Sequence, residues 1–183
     1  MNLAEMVREI LADAGKETAR ATPGSLAGRL ARETERCLDR VRFSPHQYMR
    51  HPILLWEDWE VMLIAWQSGQ VTPIHDHRGV MGGMAVLSGA LAEERFTTPG
   101  DIPKPTLADD RVRPEGDLSE IGPTVLHRLY PTTPKSVSLH IYRPPLRTMG
   151  IWDERGMNEI RPSSFDVGEE ILARAVASGL SVR

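Results

Sequence analysis

Pro73-Ile74-His75-Asp76-His77 is the stretch on which the reading of this chain turns. Its two histidines stand one residue apart. On a β-strand, residues i and i+2 point to the same face. Both imidazoles can then share one ion without distorting the backbone, while Asp76 points the other way. Imidazole suits iron, zinc, copper and nickel. Four further histidines, His46, His51, His127 and His140, complete the set of six.

The surroundings of this pair read as strands. Ile53-Leu54-Leu55-Trp56 and Val61-Met62-Leu63-Ile64-Ala65-Trp66 are short apolar runs bounded by charge or by Gly69. Further strands are expected over 84–87, 90–96, 125–130, 137–142 and 148–152. Glycine and proline punctuate them at short intervals, which suits a sandwich or barrel. Residues 97–110 hold three prolines and read as a long surface loop.

Before residue 45 the period changes. Leu3, Met6, Val7, Ile10, Leu11 and Ala14 recur at helical steps, and Gly15 can end that helix. A second helix is expected after Thr22-Pro23-Gly24-Ser25, with Leu26, Leu30, Ala31, Thr34 and Leu38 as its stripe and Cys37 packed within it. Residues 168–178 suggest a short terminal helix. The expected plan is one domain over 1–183: a helical part (1–45), a β-barrel (46–165) and a C-terminal helix or tail (166–183).

Composition narrows the classes. Apolar residues make up 40% and charged residues 26% of 183 residues, enough for a real core. A net charge of −3 gives no reason to expect nucleic acid or an anionic membrane as partner. No apolar run approaches the roughly 18 residues a membrane span needs. Cys37 is the only cysteine, so no disulfide can form within the chain. A reducing cytoplasm is the expected home, and oligomeric state is left open.

Gly69, the His75-x-His77 pair and Gly89 together resemble the first cupin motif, and His127 after Gly122 stands where the second places its histidine. The glutamate many cupins carry shortly after the pair is missing; Met81 and Gly82 occupy those places. Three neutral ligands would leave the full divalent charge on the metal, which favours an anionic ligand such as a thiolate.

Several segments together resemble the cysteine dioxygenase family of thiol dioxygenases. They are Tyr48-Met49-Arg50, Trp66 with Gly69, the histidine pair, Leu87-Ser88-Gly89, Leu126-His127-Arg128, and Ser138-Leu139-His140-Ile141-Tyr142-Arg143-Pro144-Pro145. The resemblance implies a mainly β, jelly-roll-like cupin barrel with N-terminal helices packed on it. It implies Fe(II) on His75, His77 and His127. Ser138, His140 and Tyr142 match an outer hydrogen-bonded triad, and their i, i+2, i+4 spacing puts them on one strand face. Arg50 matches the group that grips the substrate carboxylate, with Arg78, Arg143 and Arg147 as neighbouring alternatives. Trp66 is assigned to packing.

In the animal enzymes a cysteine near the pair is crosslinked to the triad tyrosine. Gly82 stands at that place, so Tyr142 is expected unmodified, and 81–84 are expected to leave room beside the metal. The implied reaction converts a small thiol acid, L-cysteine first, to its sulfinic acid with dioxygen. Alternatives are 3-mercaptopropionate or mercaptosuccinate as substrate, a zinc or nickel cupin with another reaction, and a non-enzymatic cupin that binds a small ligand.

Overall fold

The computed structural model describes residues 2–16, 21–98, 104–153 and 156–161. Two helices come first, α1 (Leu3–Lys16) and α2 (Pro23–Thr34). Strands β1 (Met49–Trp56), β2 (Trp59–Gln67), β3 (Ile74–Asp76), β4 (Met81–Ser88) and β5 (Ala90–Thr97) follow. Then come β6 (Thr106–Pro114), β7 (Leu118–Ile121), β8 (Leu126–Pro131), β9 (Lys135–Arg143), β10 (Met149–Asp153) and β11 (Gly156–Ile160). They form a five-stranded sheet, β1-β2-β9-β4-β7, and a six-stranded sheet, β11-β10-β3-β8-β5-β6. Every pairing is antiparallel. The chain is mainly β, with a cupin-type double-stranded β-helix and helices at its N-terminal end.

The five-stranded sheet is buried on both faces, which is why β2 reads as an unbroken apolar run rather than an alternation. Its odd-numbered residues Val61, Leu63, Ala65, Leu139 and Ile141 join Val7, Leu11, Leu26 and Leu30 of the helices in an outer core. Its even-numbered residues Met62, Ile64, Trp66, Met84 and Tyr142 join Leu91 and Leu129 of the other sheet in an inner core. Register places Arg50 beside Ile64, Ile64 beside Ser138 and Ser138 beside Val86 in one row across the sheet.

Gly83 sets how closely the helices approach. A Cβ there would lie 2.2 Å from the Pro23 carbonyl oxygen, so only glycine lets the start of α2 rest on β4. That helix start is capped by Thr22, whose hydroxyl accepts from the Ser25 N–H at 3.3 Å. Thr22 also donates to Glu120 of β7 at 2.6 Å.

Several expectations change. Residues 97–110 are not one loop: β6 begins at Thr106 and pairs along β5. As an edge strand with nearly all side chains exposed, it is held by main-chain bonds and lacks apolar alternation. β7 and β11 were not anticipated, being short or exposed. The second helix stops at Thr34 and continues as a 3₁₀ segment, Glu35–Arg40, which contains Cys37. The Thr34 hydroxyl donates to the carbonyls of Leu30 and Ala31, competing with the helix's own ladder. Cys37 is half-buried there, and burial raises its thiol pKa. Residues 168–178, expected as helix, lie outside the described residues. No helix among the described residues is long and apolar enough to cross a membrane.

Candidate metal centre

His75 lies on β3 with His127 of β8 as its cross-strand partner, and His77 follows one residue beyond β3. All three are buried. Their ring centroids are 5.4 Å (75–77), 4.5 Å (75–127) and 5.2 Å (77–127) apart. One nitrogen from each lies within 4.8 Å of the others, the only such group among the described residues.

The nitrogens themselves test whether an ion fits. His75 Nδ1 donates to the Pro73 carbonyl at 3.0 Å, which leaves Nε2 to offer. His127 Nδ1 donates to Glu93 Oε1 at 3.2 Å, and its Nε2 is buried with no protein partner. His77 Nδ1 is likewise buried and unpartnered. Buried polar atoms are nearly always satisfied, so two orphans within one histidine cluster call for a missing partner. Burial first, then neighbouring His127, holds His75 well below its ordinary pKa and brings His77 down to about 2. Both rings are neutral at physiological pH, the form in which an imidazole can bind a metal. The residues fit a metal ion.

Glu93, which sequence reasoning missed, stands behind His127. Besides His127, its carboxylate accepts from Arg113 Nε at 2.6 Å, Ser119 Oγ at 3.1 Å and Arg95 Nη2 at 3.2 Å. Burial alone would raise this carboxyl; the bond to His127 and the charges of Arg113 and Arg95 override it and bring it to about 2. A carboxylate that holds a ligand's far nitrogen fixes its tautomer and ring orientation.

On the facing sheet, β9 presents Ser138, His140 and Tyr142 inward, all buried. Ser138 Oγ lies 2.8 Å from His140 Nε2, and Tyr142 Oη lies 3.3 Å from His140 Nδ1. Burial, then the charge of Arg50, takes His140 down to about 3. Burial pushes the Tyr142 phenol well above its ordinary value. Tyr142 meets the edge of His77 at 5.2 Å between centroids, so this triad borders the histidine cluster. Trp66 does more than pack. It lies 4.9 Å from Tyr48 ring to ring and donates its indole N–H to Ser138 Oγ at 2.9 Å.

Arg50 is the arginine that faces this site. Its charge lowers the pKa of His75, His77, His140 and Tyr142, and its Nε is buried without a partner. Arg78 instead pairs with Glu159 at 3.2 Å, Arg143 lies over Trp59 at 4.8 Å, and Arg147 is exposed. Glu60, also unanticipated, is the cross-strand partner of Tyr142 and accepts from the Leu146 N–H at 2.8 Å. Burial raises its carboxyl, against the opposing charges of Arg50 and Arg147.

Gly82 faces Tyr142 across β4 and β9. A Cβ there would lie 3.3 Å from His77 Nδ1. With glycine at this place, no cysteine side chain stands beside the phenol. The expected extra room is not found: a Cβ at Gly82 would already press on His77 and Ile121, and Gly83 turns outward against α2.

A double-stranded β-barrel with three converging buried histidines defines a cupin whose pocket can hold a metal ion. The sequence model described as "Cysteine dioxygenase type I" matches residues 33–155, and the chain belongs to that family. Cysteine dioxygenase type 1 of Homo sapiens is 29% identical over 120 residues, covering 63% of this chain and 60% of the human protein. The Bos taurus enzyme is 28% identical over the same shares. The match thus spans about three fifths of these relatives' length. A solved Klebsiella pneumoniae protein with a double-stranded beta-helix domain shares the fold, with a TM-score of 0.51 and 18% identity. That likeness covers 62% of this chain and 85% of the other.

Proposed function

We propose that this protein is an iron-dependent thiol dioxygenase that converts a small thiol acid, L-cysteine first, to its sulfinic acid. The balance is one thiol plus one dioxygen giving one sulfinic acid, with no other reactant. The observation that carries the reading is the pairing of a carboxylate-free three-histidine cluster with an inward arginine and a buried Ser138-His140-Tyr142 triad. Family membership supports it independently.

His75, His77 and His127 would hold Fe(II), which supplies the redox chemistry that couples a thiol to dioxygen. Arg50 binds the substrate carboxylate through its fork of donors. Tyr142 closes the pocket beside His77, and the apolar inner core keeps bulk water away from the thiol. Glu60 adds an acidic group in the field of Arg50. That arrangement suits one carboxylate with an amino group better than the two carboxylates of mercaptosuccinate. Domain limits of 1–45, 46–165 and 166–183 within one unit remain our proposed division.

The test is oxygen uptake and sulfinate formation by the iron-loaded protein with L-cysteine, 3-mercaptopropionate and mercaptosuccinate. The expected result is one sulfinate per dioxygen, with the highest kcat/KM for L-cysteine. A higher kcat/KM for either other acid would reassign the substrate. Metal retention with no thiol-dependent uptake would favour a non-enzymatic cupin.

A further inference from the structure

The hydrogen bonds of the triad have a direction, and the direction can be derived. An indole N–H can only donate, so Trp66 makes the Ser138 oxygen an acceptor. Ser138 is fully buried, and its one other side-chain partner among the described residues is His140 Nε2. The serine proton therefore goes to His140 Nε2. The reverse arrangement would aim two N–H donors at one serine oxygen and leave its buried proton with no acceptor. With Nε2 accepting, the single proton of a neutral His140 sits on Nδ1 and is donated to Tyr142 Oη. That bond takes one lone pair of Tyr142 Oη, and the phenol's own proton is left for the pocket beside His77.

We propose that Trp66 is the positioning residue that sets the direction of the relay Trp66→Ser138→His140→Tyr142, so that Tyr142 works in the pocket as a hydrogen-bond donor and not as a proton acceptor. This deepens the dioxygenase reading of the same site. All four side chains of this relay are buried, which supports it. The donated bond would fall on whichever anionic oxygen or sulfur of the substrate or its product comes within reach of Oη.

The test reads the His140 tautomer directly. The full chain, labelled with 15N-histidine and loaded with zinc as a diamagnetic stand-in, is studied by long-range proton–nitrogen correlation. The His140 signals are assigned by their loss in His140→Gln. Wild type should show Nδ1 protonated and Nε2 bare. Trp66→Phe, which keeps an aromatic ring and removes the N–H, should shift the population towards the Nε2–H form. In the iron-loaded enzyme the same variant should lose about tenfold in kcat with KM for the thiol little changed, the size of one hydrogen bond. Should Trp66→Phe not fold, Ser138→Ala should shift the same signals. An Nε2–H tautomer in wild type, or a tautomer unmoved in both variants, overturns the proposal. Neither result depends on turnover, so failure here is distinct from failure of the dioxygenase reading.

Discussion

The two sheets of the barrel divide the site between them. The six-stranded sheet contributes the metal-ligand candidates at β3 and β8, and behind them the buried pair Glu93 and Arg113 with the half-buried Arg95. The five-stranded sheet contributes Arg50 and a neutral chain of Trp66, Ser138, His140 and Tyr142. The charge behind His127 sits where it can fix that ring's orientation from outside the histidine cluster. Neutral hydrogen bonds sit where the reacting groups would be. The lesson is a division of labour: damage to one sheet should cost metal, and damage to the other should cost substrate handling with metal kept.

The largest break should come from His127→Ala. It removes one of the three nitrogens and leaves Glu93 without its histidine partner. Metal analysis after gel filtration should find iron retention abolished, and turnover should fall to background. If the variant kept stoichiometric iron and full activity, the ligand set would be wrong.

Next comes Glu93→Gln. It removes the carboxylate that holds His127 and strands the buried Arg113 without its counter-charge. Metal affinity should fall by about 10–100-fold, the usual scale for an outer partner of a ligand. Thermal stability should fall as well, because breaking a buried pair costs roughly 3–5 kcal/mol. A competition titration with a chelator measures the first effect and calorimetry the second. Unchanged metal affinity would reduce Glu93 to a packing role.

On the facing sheet, Arg50→Ala should keep the metal and raise KM for a thiol acid by about tenfold or more, one charge-assisted bond's worth. An amine thiol without a carboxylate should be little affected. Equal effects on both substrates would take the carboxylate role away from Arg50.

The smallest effect is on stability. His77 and His140 titrate near 2 and 3 when folded, against an ordinary value of 6.5 when unfolded. Their folded pKa values are depressed, so below about pH 6.5 the unfolded chain binds protons that the folded chain refuses. Stability of the metal-free protein should therefore fall as pH drops from about 7.5 to 5.5, by on the order of 1 kcal/mol per buried histidine. Urea titrations at both values check this, and a flat profile would contradict the neutral, buried state of the rings.

Which parts were legible in the sequence follows from period and distance. His75 and His77, and likewise Ser138, His140 and Tyr142, are two apart on strands, so local spacing alone placed each group on one face. The family resemblance then joined His127 and Arg50 to them. Glu93 was invisible because it sits in Glu93-Glu94-Arg95, which reads as a solvent-facing run, and because His127 is far along the chain. Glu60 was hidden the same way, between Trp59 and Val61, with its partner Leu146 beyond β9. Trp66 looked like packing because its hydrogen-bond partner depends on the β2–β9 register. Gly82 and Gly83 looked equivalent, but strand alternation sends one to the pocket and the other to the helix. The edge strand β6 had no apolar pattern to find, since its pairing with β5 needs none.

The most direct test of the account is turnover of L-cysteine by the iron-loaded protein under 18O-labelled dioxygen, with mass spectrometry of the product. The account predicts a sulfinate carrying both labelled oxygens, formed one for one with dioxygen consumed and lost in His127→Ala. A product with oxygen drawn from water, or no product from any small thiol acid by protein that holds its iron, would contradict it.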